Sequence, residues 1–183
     1  ERIYVHESLH DAFVERFLAV VSGFKVGDPL DEATYIGAIT RAPQLDVLDA
    51  QVADAKAKGA RLRCGGQRLP GPGHWYAPTV FTEVNHTMEL MREESFGPII
   101  GIQKVRGDDE AVALMNDTRY GLTAGVYSRD EATARALLAR VNAGSVYWNC
   151  CDRVSPRLPW SGCRDSGLGL TLCRKFVELH GGR

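Results

Sequence analysis

The sequence predicts an α/β fold with a mostly parallel sheet flanked by helices. Two observations carry that expectation: short apolar, β-branched runs alternate with segments of helical period, and the links between them are short. Parallel neighbours need a crossover, and the intervening helices supply it. No repeat of fixed period interrupts the pattern.

The chain opens on an apolar strand-like run at Ile3–Val5. Ser8 followed by Asp11 resembles a capping box, and Phe13, Val14, Phe17, Leu18 and Val21 then fall on one helical face, predicting a first helix that closes near Gly23. Pro43 suits the first turn of a second helix. Its Leu45, Leu48, Val52 and Ala55 repeat at helical spacing before Lys56, Lys58 and a terminating Gly59. Strands are expected at Arg61–Arg63, Thr79–Phe81, Ile99–Val105, Thr123–Tyr127 and Ser145–Trp148. Asp108 is the expected cap of a third helix carrying Val112 and Met115. Ser128 with Glu131 is the expected cap of a fourth, carrying Leu137, Leu138 and Val141 and ending before Gly144. The stretch GGQRLPGPGHWYAP, 65–78, reads as a surface loop rather than a linker, because composition does not change on its far side.

Composition narrows the partners. In 183 residues, 44% are hydrophobic and 25% charged, with a formal net charge of -1, which leaves no basic footprint for nucleic acid or an anionic membrane surface. A small neutral or mildly charged ligand is the expected partner. The apolar runs fall far short of the roughly 20 residues that span a bilayer, and no signal-peptide pattern opens the chain, so a cytoplasmic location is the expectation. The five cysteines, an odd number, argue against a disulfide framework, and their spacing lacks the short pairs of a zinc site. The start, without methionine and inside a strand-like run, suggests a fragment of a longer protein.

Two stretches invite a chemical reading. PWSGCRDSGLG spaces Gly162, Gly167 and Gly169 as G-x4-G-x-G, which matches neither the dinucleotide fingerprint nor a P-loop. EESFGP, 93–98, has two readings. One is a solvated acidic turn whose phenylalanine enters the core. The other is a nucleoside grip, in which a carboxylate accepts from both ribose hydroxyls and a flat base packs on the ring. Spacing alone does not choose between them.

Eight stretches taken in order, ERIYVHESLHDAFVERF, VGDPLDEATYIGAI, AKAKGARLRCGG, WYAPTVF, MREESFGPI, LMNDTRYGLTAGVYSRD, ARVNAGSVYWN and PWSGCRDSGLG, resemble the aldehyde dehydrogenase superfamily and cover nearly the whole chain. The resemblance implies a single catalytic domain over 1–183, of the aldehyde dehydrogenase catalytic-domain type, whose Rossmann-like cofactor domain is absent from this chain. It implies NAD or NADP as cofactor, an aldehyde as substrate, and a homodimer or homotetramer in the parent. It also implies oxidation of the aldehyde to the acid through a cysteine-bound thiohemiacetal and thioester.

The resemblance places the nucleophilic cysteine, the general-base glutamate and the oxyanion asparagine upstream of Glu1, so the chain by itself is expected to be inactive. Glu94 matches the glutamate of the E-x-F-G-P motif, a clamp on the nicotinamide ribose, and Phe96 the ring beside the nicotinamide. Glu93 matches no ligand contact and is expected to be solvated. Gln44 stands where the family often has a glutamine near the same ribose, although the basic residue common three positions later is Val47 here. Trp160 would line the aldehyde tunnel, with Asp152, Arg153 and Val154 on the segment before it. Asn149 would tie down the loop that shapes the tunnel, and Cys150 and Cys151 are expected to pack as small apolar groups rather than act as nucleophiles. Arg153, Arg157 and Arg164 around the tunnel mouth give a second expectation, an aldehyde that carries a carboxylate, with solvated surface arginines as the alternative reading. The rival reading is a catalytically dead relative kept as a binding or assembly module, and a third is the superfamily's acyl-phosphate reductase branch, which the intact E-x-F-G-P motif disfavours.

Overall fold

The computed structural model describes residues 2–150 and 162–166 and divides the chain into two compact units, Glu1–Gly107 and Asp108–Arg183. The first unit contains β1 (Arg2–His6), α1 (Glu7–Val21), α2 (Ala42–Ala57), β2 (Arg61–Cys64), β3 (Thr79–Thr82), a 3-10 turn (Glu89–Met91) and β4 (Ile99–Val105). Its four strands lie in the order β1-β4-β3-β2. β4 pairs in parallel with both β1 and β3, and β2 pairs antiparallel with β3.

Strand geometry sends successive side chains to opposite faces, and two apolar clusters follow from it. Phe81 and Ile99 join Leu45, Leu48, Val52 and Ala55 of α2 on one face, together with Tyr76, Met88, Leu90 and Met91. Val80, Ile102 and Val5 meet Val14 and Val21 of α1 in the other cluster. Every residue of β3 is buried, as expected for an inner strand. Each fully buried Leu, Val or Phe contributes about 1.5–3 kcal/mol over leaving it in water. Gly101 in β4 belongs to this packing: a Cβ there would run into the Met91 sulfur and lie 2.8 Å from Leu90 Cδ1.

Helix α1 differs in detail from the expectation. Its N-cap is His6, whose Nδ1 accepts from the Ser8 amide at 3.3 Å, because the helix begins directly where β1 ends and leaves Ser8 inside the first turn. Its buried side is His10, Val14 and Val21. Phe13 sits at the outer edge, 36% exposed, stacked on half-buried Phe17. Helix α2 starts at Ala42 with Pro43 in its first turn and stops before Gly59, which takes φ +90°. Its buried set is Leu45, Leu48, Gln51, Val52 and Ala55. The 65–78 loop is more than surface covering. Arg68 bridges to Tyr76 as an antiparallel pair, and its guanidinium forks onto Asp46 at 2.5 Å and Asp49 at 2.7 Å on α2. Buried Tyr76 adds a hydroxyl donation to Asp49 at 3.1 Å, and burial pushes its ionisation far up.

The second unit contains α3 (Asp108–Asn116), β5 (Tyr120–Gly121), β6 (Thr123–Val126), α4 (Glu131–Leu138), β7 (Ser145–Trp148) and β8 (Cys163–Arg164). β6 and β7 pair in parallel across the α4 crossover, Thr123 opposite Ser145 and Val126 opposite Trp148, while β5 pairs antiparallel with β8. Asp108 is the first helical residue of α3 and opens an acidic first turn with Asp109 and Glu110, the sign the helix dipole favours. The cap of α4 is Asp130 rather than Ser128. Its carboxylate accepts from the Ala132 and Thr133 amides, and Ser128 Oγ accepts from the Asp130 amide. The helix ends at Leu138, short of Val141. No helix among the described residues is long and apolar enough to cross a membrane.

Candidate functional site

EESFGP lies between the 3-10 turn and β4, against the first turns of α2. Of its two acids, Glu94 is the exposed one, and Glu93, expected to be solvated, is half-buried, with its amide donating to the Glu89 carbonyl at 2.8 Å. Phe96 takes φ +43° and stands 76% exposed. A left-handed backbone costs a residue with a bulky side chain about 1–3 kcal/mol, and here the ring gains little burial in return. The reading in which the phenylalanine enters the core is therefore not met: the ring stays outside, beside the exposed Glu94 carboxylate.

The strain is held by neighbours in the first unit. Gln44 Nε2 donates to the Ser95 carbonyl at 2.5 Å. The Ile99 amide donates to the Gly97 carbonyl, and the Thr79 amide to the Pro98 carbonyl, each at 2.8 Å. Gly97 lies directly on Leu48, where a Cβ would come within 2.6 Å of a Leu48 methyl, so the turn rests against α2 with no room for a side chain. Ser95 is buried, and its hydroxyl has no hydrogen-bond partner among the described residues. Val47, one helical turn after Gln44, is 41% exposed and offers no polar atom.

The same helix holds the segment before the motif. Asp54 Oδ2 accepts from the Glu89 amide at 2.8 Å, Lys58 donates to the Thr87 carbonyl at 2.6 Å, and the two side chains pair at 2.5 Å. Burial raises the Asp54 carboxyl, but the Lys58 and Glu89 hydrogen bonds and the Lys58 charge together carry it below the usual carboxylate range. The sequence reading gave Leu48 and Lys58 to the second helix without linking them to this motif, and did not single out Asp54 or Ser95. The Asp54–Lys58 spacing was visible as an i,i+4 pair, but the carbonyl and amide they hold lie about thirty residues on.

In the second unit Asn149 follows β7 with φ +49°. Its side chain brackets the Ser128 backbone, Oδ1 accepting from the amide at 2.9 Å and Nδ2 donating to the carbonyl at 2.8 Å, and its own amide donates to the Val126 carbonyl. Trp148 Nε1 donates to the same Ser128 carbonyl at 3.0 Å. Cys150 is half-buried. Arg164 Nη1 donates to the Asn116 carbonyl at 2.7 Å and to the Thr118 carbonyl, from a backbone at φ +59°. Trp160, Asp152, Arg153, Val154, Arg157 and Cys151 lie outside the described residues.

Residues 1–179 match the aldehyde dehydrogenase family. The chain is 38% identical over 183 residues to succinate-semialdehyde dehydrogenase [NADP(+)] 1 of Mycobacterium ulcerans, covering 98% of this chain and 40% of that protein. It is 37% identical over 172 residues to a betaine aldehyde dehydrogenase of Brucella anthropi, covering 92% of this chain and 35% of that one. Among solved structures, an NAD-dependent aldehyde dehydrogenase from Sinorhizobium meliloti superposes with a TM-score of 0.88 at 39% identity, covering 91% of this chain and 33% of that chain. The chain thus spans well under half the length of these relatives.

Proposed function

Because the chain belongs to the aldehyde dehydrogenase family, we propose that it supplies the nicotinamide-ribose grip of an NAD(P)-dependent enzyme that oxidises an aldehyde to the carboxylic acid. The observation that carries this reading is the exposed pair formed by Glu94 and left-handed Phe96 on a turn pinned to α2. These groups fit the cofactor chemically: a carboxylate accepts from a vicinal diol, and a flat apolar ring packs against a flat heterocycle. The bound nicotinamide would supply the hydride acceptor. Glu94 would orient the ribose and Phe96 would limit water on one side of the ring, while the buried backbone of Ser95 keeps the two in register. Relatives of both NADP(+) and NAD type are similar to this chain, and no described residue favours one over the other. A homodimer or homotetramer of the full-length protein completes the reading.

The experiment is Glu94→Gln in the full-length protein. A neutral amide accepts less strongly than a carboxylate, so the KM for cofactor should rise roughly tenfold, about 1.4 kcal/mol, with the KM for aldehyde unchanged. Unchanged cofactor KM and kcat with both NAD and NADP would reject the role given to Glu94. For the substrate, comparing succinate semialdehyde with a neutral aldehyde of equal length decides whether an acidic aldehyde is preferred. Of the arginines behind that expectation, Arg164 donates through Nη1 to two backbone carbonyls.

A further inference from the structure

We propose that Gln44 is a positioning residue: it acts on the cofactor grip through the Ser95 carbonyl and does not itself bind the ribose. The inference rests on Glu94 and Phe96 forming that grip. Its direct support is geometric. Gln44 Nε2 reaches 51 residues along the chain to the carbonyl between those two residues, at 2.5 Å. A carbonyl oxygen only accepts, so the amide nitrogen must be the end of Gln44 that faces Ser95. That contact commits one of the two N–H bonds of the amide to the protein backbone.

The same face of α2 carries the whole segment from 87 to 97. Gln44, Leu48, Asp54 and Lys58 fall within about 120° of helix rotation at 100° per residue. They hold, in turn, the Ser95 carbonyl, the Gly97 backbone, the Glu89 amide and the Thr87 carbonyl. Three of these four are polar bonds to backbone rather than to side chains, so they fix where the chain runs and leave the side chains of Glu94 and Phe96 facing outward. The left-handed residue needs such support most. Phe96 has φ +43°, and the amide following Ser95's carbonyl is its own, so fixing that carbonyl fixes the peptide plane that enters Phe96. Val47 offers no donor one turn further on, which leaves Gln44 as the polar side chain of this part of α2 that is bonded to the motif.

A direct ribose contact and a positioning role predict opposite results for one substitution. Gln44→Glu keeps the length and keeps acceptors for ribose hydroxyls, but it sets a carboxylate against the Ser95 carbonyl. Gln44→Met keeps the shape and removes the donor. In the full-length protein, both substitutions should raise the KM for cofactor about five- to tenfold, leave the KM for aldehyde near its parent value, and change little further in a Glu94→Gln background, because the two residues serve one grip. Amide hydrogen exchange at Phe96 and Gly97 should quicken in both variants while Leu48 to Ala55 keeps its protection.

A Gln44→Glu variant with parental or lower cofactor KM would overturn the proposal, and so would effects of Gln44 and Glu94 that simply add. Should Glu94→Gln alone leave cofactor kinetics unchanged, the grip reading fails. The exchange measurement then still decides whether Gln44 holds this turn: unchanged exchange at Phe96 in Gln44→Met would overturn the positioning role by itself.

Discussion

Phe96 is the residue at which stability and use of the site pull apart. It occupies a backbone region that glycine adopts freely, with its ring three-quarters exposed. Phe96→Gly should therefore hold or raise the melting temperature while cofactor affinity falls, whereas Phe96→Ala should lose the ring and keep the backbone strain. Thermal melts and cofactor titration of the two variants in the full-length protein separate those contributions. Ser95→Ala should be close to neutral in a melt, since the hydroxyl it removes is buried without a partner among the described residues and leaves nothing unsatisfied behind. The resemblance of EESFGP to the E-x-F-G-P motif, and not its spacing alone, singled out Glu94 and Phe96 in the sequence. The burial of Glu93 was not legible, because whether an acid in a turn is wet depends on the direction of the chain and not on its neighbours in sequence. The partners of Arg164 were hidden for a related reason: the Asn116 and Thr118 carbonyls that its Nη1 holds lie more than forty residues away in sequence.

Helix α2 was the most legible element, with Pro43 at its start, Gly59 at its end and four apolar residues at helical spacing. Its second occupation, holding the 87–97 segment, was hidden because it runs through backbone atoms that every sequence shares. Gly97→Ala should lower stability by about 1–3 kcal/mol, since the new methyl meets Leu48 in a packed core; a denaturant midpoint measures it. Asp54 gives a pH signature. Its folded carboxyl titrates below the ordinary value near 3.9, so its stabilising effect is complete above that pH and is lost as pH falls through the lower folded value. The stability gap between the parent and Asp54→Asn should be constant from pH 5 to 7 and close in more acid solution, as read from urea midpoints. Other elements resisted reading for plain reasons. β5 and β8 have two residues each, too few for a period to show. Ser128 and Asp130 are both cap-forming types, and only the amides they face decide between them. The Arg68–Tyr76 bridge within 65–78 is accompanied by Arg68 reaching two aspartates of α2, which no local pattern announces.

Across the whole chain, the alternation of strands and helices gave the fold class, and the strand order did not follow from it. Nothing local says that β4 lies between β1 and β3. Protection should follow burial: in native-state hydrogen exchange, amides of β3 and β4 should be the slowest and those of β5 and β8 among the fastest, reflecting a four-stranded ladder against a two-residue one. The two outer strands of the first sheet differ in a way that bears on handling this chain. β2 shows Arg61 and Arg63 to solvent and breaks its register between Leu62 and Cys64, which blunts it as a template. β1 runs through Ile3, Tyr4 and Val5 with an even register against β4 and carries no charge between Arg2 and His6. Among the described strands β4 is its one neighbour, and addition of a strand from a second molecule at the other edge is the mode of association expected in concentrated solution. Light scattering that climbs with concentration, rather than any loss of helix, is how that edge would make itself known.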